Sequence, residues 1–238
     1  MEKNVNKSIE SYLQGDYKNF KAYERIKFLI KNLSQYIEKK KKYKLLDLGC
    51  SKGEIIYSLK EKFDNIEFTG IDISKELLDK AKKENYLKTV RFIKDDISNF
   101  SLNEKFDIVI MSGVLSIFDD YEKFLKNVIL HMKKDSIGLI FSAFNKDDID
   151  VIMRFKNNFK KSTQWESGWN LFSLKEIKKF LKKYSNSIKI ISFDIKKILK
   201  KKENPVSSFT LELRDKSKLI MTGGNIVRDF HLIIFKIK

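Results

Sequence analysis

The sequence predicts an α/β domain: a largely parallel sheet with helices packed on both faces. Three observations predict it. Short apolar runs rich in Ile, Leu, Val and Phe alternate with amphipathic stretches between Lys44 and Ser142. The alternation repeats at the spacing of strand–helix–strand units, and parallel strands require such crossovers. The chain has 238 residues, 42% of them hydrophobic, enough for one such domain with an added element or at most two small ones.

Residues 5–40 form a leader with helical spacing, since Ile26, Leu29, Ile30, Leu33, Tyr36 and Ile37 fall on one face. The run Lys39–Lys42 closes it as a solvated linker. Strands are then predicted at Lys44–Leu48, Ile66–Ile71, Val90–Lys94, Phe106–Met111 and Ile137–Ser142. Helices fall between them near 53–63, 74–85 and 120–133. After Ala143 the pattern breaks into a charged and aromatic segment containing Trp-Glu-Ser-Gly-Trp. A helix at 173–184 follows, with Ser173 as N-cap and Glu176 three positions on, the capping-box spacing. A strand near 188–195, a hairpin from Phe209 to Thr222 and a last strand near 229–236 complete the chain. The organisation is thus a leader (1–42), a core (43–144), a lid-like insertion (145–172) and a C-terminal completion of the sheet (173–238), all within one overall domain.

Composition narrows the function classes. The single cysteine, Cys50, allows no intrachain disulfide and points to a reducing cytoplasm. No apolar run reaches the roughly 20 residues that span a bilayer, and the first residues lack the apolar core of a signal peptide, so membrane insertion is not expected. The net charge of +17 invites a nucleic-acid partner. Only five of the 49 basic residues are arginine (Arg25, Arg91, Arg154, Arg214 and Arg228), however, and a phosphate reader gains from the arginine fork. A lysine-coated surface is therefore favoured over a nucleic-acid interface. No metal site is predicted, and no oligomeric state follows.

The chemistry concentrates in Leu45-Leu46-Asp47-Leu48-Gly49-Cys50-Ser51-Lys52-Gly53-Glu54. It reads as a buried strand, a small-residue turn and the start of a helix. Glycine lets backbone approach a ligand, and the N–H groups of a helix start face the same crevice. Several nucleotide-binding folds share this turn. A second acid, Asp72, ends the next strand about 20 residues beyond the glycines, where it can accept hydrogen bonds from ribose hydroxyls. Asp95-Asp96-Ile97 follows the third strand, and Met111-Ser112 ends the fourth.

These four motifs, in this order and spacing, resemble the class I S-adenosylmethionine-dependent methyltransferases over residues 43–144. The resemblance implies a Rossmann-like, doubly wound sheet of seven strands, mostly parallel with the last strand antiparallel. It implies S-adenosylmethionine as cofactor and S-adenosylhomocysteine as product. By the family's pattern Asp47, Gly49, Cys50, Ser51 and Gly53 would surround the methionine part and Asp72, with Ile73 beside it, the ribose. Asp96, which register favours over the neighbouring Asp95, would meet the adenine amino group with Ile97 against the ring, and Met111 and Ser112 would line the cofactor and acceptor entrance. Residues 130–140 look like the family's turn into strand five. Two departures stand out. Ser51 replaces a middle glycine, tolerable at ordinary backbone angles. Ser116-Ile117-Phe118 stands where many relatives carry a histidine, which leaves no histidine base there.

Other residues keep two readings. Tyr17 and Arg25 in the leader either meet the cofactor's carboxylate or lie on a solvated helix face. Cys50 reads as a small packed hydrophobe rather than a nucleophile. His131 reads as a surface residue at a helix end, and His231 as structural. The acceptor-side candidates are Trp165, Glu166, Trp169 and Asn170 in the insertion, and Asn225 and Arg228 near a Gly-rich turn that also suits hairpin closure. No catalytic base is assigned among them. The function expected is methyl transfer to a small molecule, to an oxygen of a sugar, sugar nucleotide or related metabolite. An RNA or protein methyltransferase is the alternative, weakened because Met111-Ser112-Gly113-Val114 stands in place of an NPPY- or DPPY-like tetrapeptide. A non-catalytic cofactor-binding module is a further one.

Overall fold

The computed structural model describes Tyr17 and residues 23–156, 158, 164–167, 169–202 and 207–238. The remainder of the predicted leader and several positions of the insertion lie outside these residues. A helix, α1 (Glu24–Leu33), leads into β1 (Tyr43–Leu48), α2 (Glu54–Lys60), β2 (Ile66–Asp72), α3 (Lys75–Lys83), β3 (Arg91–Lys94) and β4 (Phe106–Ser112). Then come α4 (Tyr121–Leu130), β5 (Met132–Phe144), the two-residue strands β6 (Arg154–Phe155) and β7 (Glu166–Ser167), and α5 (Leu174–Lys182). The chain closes with β8 (Ser185–Phe193), β9 (Phe209–Glu212), β10 (Lys218–Met221) and β11 (Asp229–Ile237).

Seven strands form one sheet in the order β3-β2-β1-β4-β5-β11-β8. All neighbours from β3 to β5 are parallel, and β11 runs antiparallel to both β5 and β8. The predicted sheet is therefore the observed one. Sequence order reverses between β1 and β4, and in open α/β sheets the crevice at the carboxyl strand ends opens at that reversal.

Strands covered on both faces are apolar at nearly every position, as β1 and β4 are. Leu45, Ile110 and Phe141 pack with Ile26, Leu29, Ile56 and Leu78 of α1, α2 and α3. Leu46, Val109 and Ile140 pack with Phe124, Leu125 and Phe180 of α4 and α5 on the opposite face. Side chains at helix starts satisfy backbone N–H groups that the helix leaves open. Ser74 accepts from Leu77 N, Asp120 from Lys123 N and Ser173 from Glu176 N. The capping box predicted at Ser173 is half formed: Ser173 N–H donates to Asp150 Oδ1 at 2.6 Å, so an acid from the insertion takes the place expected for Glu176.

Two expectations change here. Strand β5 begins at Met132, five residues before the predicted start, because α4 stops at Leu130 and the chain turns through Asp135 at φ 61°. His131 is buried rather than on the surface. Its Nε2 accepts from Leu102 N–H at 3.0 Å, and its Nδ1 lies 2.9 Å from Asn127 O. The ring sits 4.3 Å from that of Phe100. Accepting at Nε2 leaves the proton on Nδ1 of a neutral ring, which braces the loop before β4. His231 is buried in β11 beside Asp229, a structural setting as expected.

Candidate functional site

The glycine turn leaves β1 with three left-handed residues at alternate positions: Gly49 at φ 70°, Ser51 at φ 54° and Gly53 at φ 81°. Gly49 and Cys50 N–H both donate to Ile71 O, at 2.8 and 3.0 Å, and Gly53 N–H donates to Cys50 O at 2.8 Å. These bonds fold the turn back over the end of β2. A Cβ on Gly49 would overlap Val114 Cγ1, so the segment after β4 lies directly on the turn. The expectation of ordinary angles at Ser51 is corrected. Its left-handed backbone costs a non-glycine residue on the order of 1 kcal/mol, and Asp72 Oδ2 holds it there by accepting Ser51 N–H at 2.7 Å. The other oxygen, Oδ1, accepts Ser74 N–H at 2.9 Å, so one carboxylate ties the glycine turn to the cap of α3.

Three buried polar atoms at these strand ends have no hydrogen-bond partner among the described residues: Asp47 Oδ2, Ser51 Oγ and Ser112 Oγ. Buried polar groups are nearly always paired, so such orphans mark where another molecule supplies the partner. Burial pushes the Asp47 carboxyl well above the usual range, and the nearby Glu54 and Asp72 carboxylates push it further while Arg25 opposes them. Glu54 is raised by burial against the pull of its own helix start, Arg25 and Lys52. Asp72 is raised by burial too, countered by the N–H groups of Ser74, Ser51 and Ile73. Three acids gathered at one strand edge favour a ligand carrying positive charge, which would in turn stabilise their ionised forms.

The remaining cofactor candidates take varied places. Cys50 is buried, and burial pushes its thiol well up, which fits a packed hydrophobe. Ile73 is exposed beside Asp72, an apolar side chain open to a ligand. Asp95 Oδ1 accepts Asp96 N–H, and Asp96 Oδ1 accepts Ser98 N–H at 2.8 Å, each leaving a second oxygen outside these turn bonds. Ile97 lies against Gly49. Met111 is a correction: its side chain is fully buried in the core on the α4–α5 face, so only its backbone borders the crevice. Tyr17 is buried, and its hydroxyl donates to Lys52 O at 2.7 Å, pinning the leader to the glycine turn. Arg25 reaches Gly113 beyond β4 and acts on both Asp47 and Glu54, so it belongs to the crevice rather than to a solvated helix face.

The acceptor-side candidates divide. Asn170 is fully buried and bonded throughout. Its backbone N–H donates to Ser116 O, Nδ2 to Phe118 O and Asp119 Oδ1, and Oδ1 accepts Met153 N–H. These bonds fasten the insertion to the segment after β4. Trp169, at φ 58°, lies 5.4 Å from the Phe155 ring. Trp165 is 68% exposed, and Glu166 pairs with Phe155 in the short β6–β7 ladder. Asn225 closes the Gly-rich turn at φ 57°, its N–H donating to Thr222 O, which is the hairpin role. Arg228 donates to Ser208 Oγ and stacks 4.8 Å over Phe230.

Three residues at the crevice escaped the sequence reading. Glu54 had a readable signal, an acid in the first helical turn after the glycines. Lys52 is fully covered, and burial lowers its ammonium pKa against the pull of Glu54. Val114 had no signal, since its place over Gly49 exists only once β4 is aligned beside β1.

A family model described as a methyltransferase domain matches residues 39–203 of this chain. The malonyl-[acyl-carrier protein] O-methyltransferase of Bacillus anthracis is 27% identical over 119 residues, 50% of this chain and 44% of that protein. The ubiquinone biosynthesis O-methyltransferase of Rickettsia canadensis is 26% identical over 125 residues, 51% of each. The chain spans about half the length of the curated relatives it matches. Among solved structures, the N-methyltransferase NodS from Bradyrhizobium japonicum, in complex with S-adenosyl-L-homocysteine, shares the fold at TM-score 0.55 and 16% identity, over 97% of this chain and 96% of that one.

Proposed function

Because the chain belongs to the class I S-adenosylmethionine-dependent methyltransferases, we propose that it moves the cofactor's methyl group to an oxygen of a small-molecule acceptor. The observation that carries the proposal is the set of orphaned buried atoms, Asp47 Oδ2, Ser51 Oγ and Ser112 Oγ, beside three acids at the strand ends. They fit this cofactor, which carries a sulfonium and an ammonium against one carboxylate. The bound cofactor supplies an electrophilic methyl that an aligned nucleophile displaces; the protein supplies alignment and a dry site. Asp47, Gly49 and Ser51 would hold the methionine part, and Arg25 its carboxylate. Asp72 would take the ribose hydroxyls with Ile73 alongside, and Asp96 with Ile97 the adenine.

The finer reading of the acceptor is a hydroxyl of a sugar, sugar nucleotide or related metabolite, enclosed by residues 145–172. A second reading, a carboxylate oxygen, gains from one observation. Among the described residues both histidines serve as buried structural groups, and a carboxylate needs no base at neutral pH whereas a hydroxyl does. The names of two relatives, O-methyltransferases of malonyl-[acyl-carrier protein] and of ubiquinone biosynthesis, support oxygen under either reading, whereas NodS is named an N-methyltransferase.

Titration calorimetry with S-adenosylmethionine tests the cofactor. Binding is expected in the wild-type protein, with Asp72→Ala weakening it about 100-fold through loss of a charge-assisted pair and of the turn's anchor. Unchanged affinity in that variant overturns the assignment. Labelled-methyl transfer to a panel of sugar nucleotides and of free and thioester-linked dicarboxylates then separates the two acceptor readings.

A further inference from the structure

The β9–β10 ribbon carries an apolar face that the described residues cover only in part. Residues directly opposite in an antiparallel pair share a face, so Phe209 and Met221 stand with Leu211 and Leu219. Alternation adds Leu213, and the bridge from Met221 adds Val227. None of the six is buried, and Leu211, Leu213 and Val227 are 39%, 39% and 45% exposed. A strip of this kind on a soluble domain marks a contact surface.

Its charge is as distinctive. Among the described residues of 194–202 and 207–228, nine lysines and arginines stand against three acids. Leu199, within the run 196–202, lies against β9: its N–H donates to Thr210 Oγ1 and its carbonyl accepts Thr210 N–H. Ile198 in this run is 55% exposed, and Lys201 Nζ lies 5.3 Å over the Phe209 ring, which places a lysine at the margin of the apolar face. The ribbon joins the end of β8 to the start of β11, and Asp229 at that start pairs with Phe144 at the end of β5. It therefore stands at the same sheet edge as the crevice.

We infer that this ribbon docks the protein on an anionic lipid surface. Aliphatic side chains interleaved with lysines are the composition of interfacial membrane segments. Protein interfaces instead concentrate Tyr, Trp and Arg and deplete Lys, and the ribbon and its flank carry seven lysines, two arginines and neither Tyr nor Trp among these residues. A nucleic-acid backbone would leave the apolar strip in water. The docking is peripheral, since no helix of the described structure is long and apolar enough to cross a membrane.

Cosedimentation with phosphatidylcholine vesicles, with and without phosphatidylglycerol, tests it. Binding is expected only to the anionic vesicles. Leu211→Glu with Leu213→Glu should lower partitioning at least ten-fold, and Lys200→Glu with Lys201→Glu about as much or more, each lysine near such a surface contributing roughly five-fold. Charge reversal at the exposed pair Lys39 and Lys40, remote in sequence, controls for the general lysine coat and should change partitioning less than two-fold. Calorimetry with S-adenosylmethionine confirms that each variant is folded. Absence of vesicle binding, an equal loss in the Lys39/Lys40 control, or binding to an acidic carrier protein but not to vesicles would each overturn the inference.

Discussion

The two halves of this chain meet at one sheet edge but are built on opposite terms. In the half from β1 to β4, polar side chains at the strand ends are buried and left short of partners: Asp47, Ser51 and Ser112. In the half beyond β5, the buried Asn170 has its side chain and backbone N–H committed to the protein itself, while Trp165 is mostly in solvent. The first half keeps hydrogen-bonding capacity in reserve for a ligand whose shape is fixed. The second invests it in holding an insertion to the sheet, leaving its surface to be shaped by residues that contribute little to stability. A fold whose cofactor is constant and whose acceptors vary is expected to divide in this way.

Four substitutions sharpen or break the contrast. The largest effect is expected from Gly49→Ala, which places a Cβ into Val114 at a left-handed backbone position. It should lower stability by about 2–4 kcal/mol and abolish measurable cofactor binding, read by thermal melting and calorimetry. Near-normal binding would mean that the turn and the Val114 segment move freely apart.

Asn170→Ala comes next. It strips hydrogen bonds from Met153 N–H, Phe118 O and Asp119, and should cost about 2–3 kcal/mol in chemical denaturation. Cofactor affinity should stay within about three-fold if the residue serves the insertion alone.

Asp47→Asn should act with the opposite sign on the ligand-free protein. An acid whose folded pKa is raised binds more protons folded than unfolded, so its ionisation destabilises the fold as pH rises from about 4 toward that raised pKa. The variant should therefore melt about 2–4 °C above wild type at pH 7.5, with the gap closing as pH falls toward 4. It should also bind S-adenosylmethionine more weakly. A gap that widens on acidification would contradict the burial argument. Smallest is Trp165→Ala, with under about 0.5 kcal/mol on stability and unchanged cofactor affinity. Any consequence should be confined to the KM for the acceptor.

The same division explains what was legible in the sequence. Strands such as Leu45–Leu48 and Ile108–Met111 are covered on both faces and read as apolar runs broken only at Asp47, so the sheet is legible in the local pattern. Asp72 and the glycines were legible because a turn at close quarters restricts which residues can stand there. Ser51's left-handed backbone was not, since it depends on an Asp72 carboxylate 21 positions away in sequence. Met111 stands at the right place in sequence for the crevice, while the pleat turns its side chain into the core. Asn170 keeps both readings in the sequence, acceptor contact and lid packing, because nothing local distinguishes an asparagine that braces from one that binds. The burial of His131 is not legible locally, because Leu102, whose N–H its ring accepts, lies 29 positions away in sequence.

The sheet order carries a consequence for how the molecule assembles. β11 follows every other strand in the sequence, yet it sits between β5 and β8 and supplies the hydrogen bonds on one flank of each. Its Phe235 lies over Gly138 so closely that a Cβ there would overlap the ring. During synthesis, β8 has no neighbour in the sheet until β11 emerges, and the edge of β5 stays open until then. Closure of the sheet is thus a late event between distant segments, the kind of contact that slows folding and exposes strand edges meanwhile.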